Sequence, residues 1–327
     1  MPKNTRLLLI DRDQAASLLS FDDALDATRE AFRLHALGEG RGFPVVREKL
    51  ASGVFGIKSG GVEQRKILGF KAAGFWPGNR ALGGEPHQAT ILLFDPDSGR
   101  PLCVLDGNLV TTLRTGAAGG LGLLRLARRD SARLCVFGTG VQARIQTLFA
   151  LRLMPGLRSA VYLGVDGRPA PRFEAEVGAD AAARGCALAH AAEPNEAVMA
   201  SDIVITATPG TGALFDLDAV QPGTHINAVG ADTAGKRELP GGLIERARLF
   251  VDDAAQARAI GESQWAKEHP CVTLGELLTG KAAFERSPDD ITVFDMTGLA
   301  LQDLTVAQLM LQRAADSGAG TPVEWPW

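Results

Sequence analysis

Cysteine is scarce in this sequence: Cys103, Cys135, Cys186 and Cys271 are the four cysteines in 327 residues, with no C-x-x-C and no metal-ligand spacing. That pattern excludes a disulfide framework and leaves free thiols in a reducing compartment. A basic excess is also missing, since 34 Lys and Arg face 38 Asp and Glu for a net charge of −4. An extended nucleic-acid surface is therefore not expected. No stretch of about 18 apolar residues occurs, so no membrane span is expected. The apolar core of "MPKNTRLLLIDRDQ" is too short for a secretory signal. Repeats and low-complexity tracts are absent. Aromatics are few at 6%, whereas glycines number 38. Together these point to a cytoplasmic α/β enzyme, long enough for two domains.

What is present divides the chain in two styles. Residues 5–10 read as a strand, and "SFDDALDATREAFRLHALG" reads as an amphipathic helix capped by Ser20 and stopped at Gly38. From 43 to 106, "VFGIKSGG", "ILGFKAAGFW", "ATILLFD" and "PLCVLDG" are short β-like segments separated by turn signals, as in antiparallel hairpins. From 112, "TLRTGAAGGLGLLRLAR" turns helical and rich in small residues. Beyond it, "ARLCVFGTG", "SAVYLG", "DIVITATP", "GTHINAVG", "RLFVDD" and "ITVFDMTG" are buried-type strands spaced to leave room for helices. That alternation predicts a Rossmann-type doubly wound parallel sheet over 118–300. A last helix is expected in "LQDLTVAQLMLQRAADSG".

The stretch "CVFGTGVQARIQ", residues 135–146, has the form of a dinucleotide turn. Gly138 permits a tight turn after the strand, and Gly140 lets a pyrophosphate approach the backbone. Ala143 keeps helix and strand close, and the helix N-terminus offers N–H groups to phosphate. Downstream, "AVYLGVDGR" places Asp166 where a ribose 2′-hydroxyl would be read, and Arg168 where a 2′-phosphate could pair. Asp166 favours NAD, with NADP still possible.

Several phrases, in order, resemble the ornithine cyclodeaminase/mu-crystallin family: "HQATILLFDPDSGRPLCVLDGN", "TLRTGAA", "GTGVQA", "PGTHINAVGAD" and "ITVFDMTGLALQDLTVAQ". Within it, "GFPVVREKL", "LGFKAAGFWPGN", "GADTAGKREL" and "IGESQWA" look most like the bacterial branch that reduces iminosuccinate. The resemblance implies nicotinamide-dependent chemistry at a C=N bond whose carbon carries a carboxylate. It also implies an α+β substrate-binding and dimerisation domain, formed by 1–117 with 301–327, and a homodimer. By motif, Arg47, Lys71 and Arg114 match basic residues of the substrate pocket, and Asp232 matches the acid near the reacting nitrogen. The turn Thr139-Gly140-Val141-Gln142 matches the cofactor phosphate loop, and Thr208 ends a strand that touches the cofactor. Val165-Asp166 replaces an Asn-Arg pair that suits NADP in mammalian members, which again favours NAD.

The chemistry agrees with these residue types. An imine accepts hydride best when its nitrogen is protonated, so the site should hold carboxylates with cations and keep a proton-handling group near nitrogen. Arg114 suits a bidentate grip on the α-carboxylate. Arg47 could clamp either carboxylate, and His87 could bond the distal one or a water. Lys71 lies between apolar residues in a strand, where a charge is costly unless used; anchoring and proton transfer are its expected tasks, with Arg114 and Asp232 as catalytic partners. No metal site is expected. His225, Asp295 and Asp303 read mainly as structural. The resemblance implies iminosuccinate as the substrate, reduced to L-aspartate, and the cationic residues agree with it. Reduction of a cyclic ketimine such as pyrroline-2-carboxylate, ornithine cyclisation, and cofactor binding without catalysis remain alternatives.

Overall fold

A computed structural model describes residues 5–164 and 167–326. The chain forms two compact units, Met1–Arg114 with Leu299–Trp327, and Thr115–Gly298.

The first unit is built on strands β1 (Thr5–Ile10), β2 (Arg41–Gly42), β3 (Val46–Lys49), β4 (Val54–Val62), β5 (Ile67–Phe75), β6 (His87–Phe94) and β7 (Pro101–Asp106). A C-terminal strand, Thr321–Trp325, pairs with β1 at the sheet edge, and β4 to β7 run antiparallel in the hairpins expected from their turn residues. Helix α1 (Arg12–Leu18) and helix α2 (Phe21–Leu37) follow β1. Ser20 caps α2 through a reciprocal capping box with Asp23, and Gly38 ends it at φ 73°, as the sequence predicts. Helix α3 (Gly107–Leu126) starts five residues before the helical pattern became legible at 112. The carboxylate of Asp106 accepts the Leu109 N–H at 2.9 Å, capping a first turn whose residues are not strong helix signals.

The second unit contains β8 (Arg133–Phe137), α4 (Val141–Leu153), β9 (Ser159–Leu163), α5 (Pro171–Ala183), β10 (Ala187–His190), α6 (Pro194–Met199) and β11 (Ile203–Thr206). It continues through β12 (His225–Ala228), α7 (Leu243–Arg246), β13 (Arg248–Val251), α8 (Ala254–Ile260), β14 (Cys271–Thr273), α9 (Leu274–Thr279) and β15 (Thr292–Asp295). All pairings are parallel, in the order β10-β9-β8-β11-β12-β15-β13-β14. The chain leaves β8 toward β9 on one side and returns to β11 on the other. The strand order therefore reverses at β8/β11, the place where open α/β sheets bind ligands beyond their carboxyl ends. Strands β11, β12 and β15 are buried throughout, which accounts for their continuous apolar character. Helix α10 (Ala300–Ser317) and the final strand, β16 (Thr321–Trp325), return to the first unit.

Helix α10 determines the chemistry of the first unit, because it packs on β4, β5, β6 and α2. It approaches closely at Gly69, where a Cβ would meet Leu304 Cδ2 at 3.0 Å and Leu92 O at 2.5 Å. Arg313 secures the far end of α10, bonding Leu18 O and pairing with both oxygens of Asp23. Among the described residues no helix is long and apolar enough to cross a membrane. All four cysteines are free thiols, and burial pushes Cys103 up to about 12.

Candidate active site

Lys71 sits mid-strand on β5, where alternation turns its side chain toward α10. There it meets Asp303, in the first turn of that helix. Nζ lies 2.8 Å from both carboxylate oxygens and also donates to Thr111 Oγ1 at 3.1 Å. Arg114, on α3, donates from Nε to Asp303 Oδ1 at 2.9 Å and from Nη1 to Gln302 Oε1 at 3.0 Å. All three charged side chains are buried. Two cations thus share one carboxylate, leaving an excess positive charge in a low-dielectric pocket. Among the described residues, none accepts a hydrogen bond from Arg114 Nη2. That nitrogen is one half of the fork that grips a carboxylate.

The protonation states follow from this packing. Burial pulls the Lys71 ammonium down to about 7, with Asp303 opposing and Arg114 and Lys58 adding to the fall. Burial pushes the Asp303 carboxyl up, but Arg114 and Lys71 outweigh it and hold the group below its ordinary value. Lys58 stands directly across the β4/β5 ladder from Lys71. His87, at the start of β6, places Nδ1 3.2 Å from Asn108 Oδ1. Burial and the nearby Lys71 lower its pKa. Arg47 lies on β3, opposite Gly56 of β4, and is exposed rather than gathered into the buried pair.

The second unit carries the glycine turn. Gly138 follows β8 at φ 106°, and a Cβ there would meet Ala207 O at 2.5 Å, so glycine is required by both torsion and space. Ala143 is fully buried and packs against Gly138, as the third small position should. Gly140 is the N-cap of α4 without a side-chain cap, and a Cβ on it would meet nothing within 4 Å. Open space and uncapped amides at the switch point form a cradle that fits a pyrophosphate. Thr139, Val141 and Gln142 are half-buried along this turn, and Gln142 Oε1 is buried with no hydrogen-bond partner. Asp166 lies outside the described residues.

Thr208 follows β11, buried, with both its N–H and its hydroxyl donating to Glu238 Oε1 at 2.7 Å. Asp232 follows β12. Its side chain is 43% exposed and pairs with Lys236 at 2.9 Å, while Lys236 also donates to Gly230 O. Lys236 is thus engaged with Asp232. His225 is buried between Thr292 Oγ1 and Asn227 Oδ1, and burial lowers it to about 3. This is the structural role expected for it.

Asp303 is the residue that sequence reasoning undervalued. The sequence marks it as mainly structural, yet it joins Lys71 and Arg114 into one site. The signal available was an acid in the "LALQD" phrase beside an otherwise apolar stretch. Among the described residues no group of His, Cys, Asp and Glu could hold a metal ion.

The ornithine cyclodeaminase/mu-crystallin family profile matches residues 8–318. The iminosuccinate reductase of Paracoccus denitrificans is 33% identical over 326 residues, spanning 97% of this chain and 100% of that protein. Its crystal structure in complex with NAD+ matches with a TM-score of 0.87 at 32% identity, covering 98% of this chain and 100% of the other. An archaeal alanine dehydrogenase dimer with bound NAD matches with a TM-score of 0.91 at 33% identity, covering 98% and 100%. The chain belongs to the ornithine cyclodeaminase/mu-crystallin family.

Proposed function

We propose that this protein is an NAD(H)-dependent imine reductase whose preferred substrate is iminosuccinate, reduced to L-aspartate. The observation that carries the reading is the buried Lys71–Asp303–Arg114 group. A site with surplus cationic charge and an unused guanidinium nitrogen suits a dicarboxylate. A distal amine, as in ornithine, would meet like charge there. The glycine turn fits a dinucleotide, and the relatives with bound NAD support that cofactor.

When bound, the reduced nicotinamide supplies hydride to the imine carbon. The residues of this chain do the rest. Arg114 grips the α-carboxylate, and Arg47 with His87 receives the distal one. Lys71, near 7, anchors the substrate and exchanges a proton within the physiological range. Asp232 stabilises the protonated imine and hands a proton to the nascent amine. Gly138 to Gln142 and Thr208 hold the cofactor, with Asp166 at the ribose. A homodimer is the proposed assembly, in line with the dimeric relative.

The test compares kcat/KM for NADH oxidation with oxaloacetate plus ammonia, pyruvate plus ammonia, glyoxylate plus ammonia, and pyrroline-2-carboxylate. The dicarboxylate pair should lead and yield aspartate. Preference for pyrroline-2-carboxylate would replace this reading with cyclic-imine reduction.

A further inference from the structure

Three acids of the second unit, Glu238, Glu262 and Asp295, are buried and have no cation within ion-pairing distance among the described residues. Burying an ionisable group without a counter-charge costs several kcal/mol, so their placement calls for a return beyond packing. Each instead accepts amides. Glu238 Oε1 takes the N–H and hydroxyl of Thr208, and Oε2 takes the Gly230 N–H at 2.8 Å. One carboxylate therefore joins the loop after β11 to the loop after β12. Gly230 is fitted to this contact, since a Cβ there would meet the Glu238 carboxylate carbon at 2.5 Å.

Glu238 is itself held from behind. Its N–H donates to Glu262 Oε1 at 2.5 Å, and the Leu239 N–H reaches the same oxygen at 3.3 Å. Asp295, at the end of β15, accepts the Glu262 N–H at 3.0 Å, and the Ser263 N–H and hydroxyl at 2.8 and 2.6 Å. Three carboxyl groups in series thus link β15 to the loops beyond β11 and β12.

We propose that Glu238 is a positioning residue that fixes the Thr208 loop against the Gly230–Asp232 loop, with Glu262 and Asp295 holding Glu238 in register. It sets cofactor affinity through the first loop and turnover through the second. The turnover half rests on the imine-reductase reading; the affinity half requires only NADH binding. Both oxygens at 238 are needed as acceptors, Oε1 for the Thr208 N–H and Oε2 for the Gly230 N–H. A carboxamide at 238 must turn an NH2 toward either Thr208 or Gly230 and break one arm.

The test uses full-length Glu238→Gln at 25 °C. NADH affinity, followed by nicotinamide fluorescence, should weaken roughly tenfold, and kcat with the best imine should fall about 10²-fold, the scale of a small misplacement at a distance from the chemistry. Amide exchange at Thr208 and Gly230 should accelerate. If that variant does not fold, Glu262→Ala removes the acceptor of the Glu238 and Leu239 N–H groups and should move affinity and exchange in the same direction by less. A folded Glu238→Gln with a lowered Tm but unchanged affinity, turnover and exchange would overturn the proposal. A wild-type protein that binds NADH but reduces no imine would sink the imine-reductase reading alone, and the affinity and exchange comparisons would still decide the role of Glu238.

Discussion

Replacing Asp303 by Asn removes one negative charge from between two buried positive ones while keeping the side chain's shape. At 2.8 and 2.9 Å, each pair contributes about 6 kcal/mol of attraction at an effective dielectric of roughly 20. Most of that is offset by the desolvation of all three groups, so the pairs add little net stability. Their removal is another matter, because Lys71 and Arg114 remain buried without compensation. Loss of one partner in such a group costs about 3–5 kcal/mol. For a transition of this size, that lowers Tm by roughly 6–20 °C. Calorimetry and urea titration of Asp303→Asn against wild type measure the loss. The double variant Lys71→Met/Asp303→Asn should recover part of it, since one of the stranded cations is gone. A change below about 1 kcal/mol in Asp303→Asn, or strict additivity in the double variant, would refute the shared-carboxylate account.

Arg114→Ala should raise KM for the imine at least about 30-fold, the effect of about 2 kcal/mol, with NADH affinity preserved; equal KM would remove Arg114 from the carboxylate site. The two turn glycines should separate cleanly. Gly138→Ala forces a Cβ onto Ala207 O at a φ of 106° and should destabilise the second unit by more than about 1 kcal/mol, whereas Gly140→Ala should leave Tm unchanged and weaken NADH binding alone. Lys71 is protonated below about 7, so imine reduction should decline as pH rises through that value, and amine oxidation should increase. Because folding lowers its pKa from 10.5, the unfolded chain binds more protons between about 7 and 10.5; stability should rise with pH across that window, and the rise should be missing in Lys71→Met.

The parts that were legible in the sequence are those whose physics is local. Ser20, Gly38 and Gly138 each signal a cap or turn within a few residues, and the strands of the parallel sheet announce themselves by continuous apolar runs. The three-residue β14 was too short to show a period. Asp303 and Glu238 escaped for a different reason. Asp303 is 232 positions from Lys71, and an acid in a helix's first turn ordinarily reads as a solvated dipole partner. Glu238, in "GKREL", sits among charged neighbours and reads as surface, although tertiary packing buries it completely. Which acids are buried depends on which distant segments cover them, and no local pattern records that. Arg47, Lys71, Arg114 and Asp232 were named by motif; the carboxylate joining two of them became visible only with α10 docked on the sheet.

The most direct test follows the hydride. With NADH carrying deuterium at the transferred C4 position, oxaloacetate and ammonia should yield L-aspartate with one deuterium at Cα, read by mass spectrometry and proton NMR. Aspartate without deuterium, or no NADH consumption across the imine panel alongside ornithine turnover to proline, would contradict the assignment of C=N reduction to this protein.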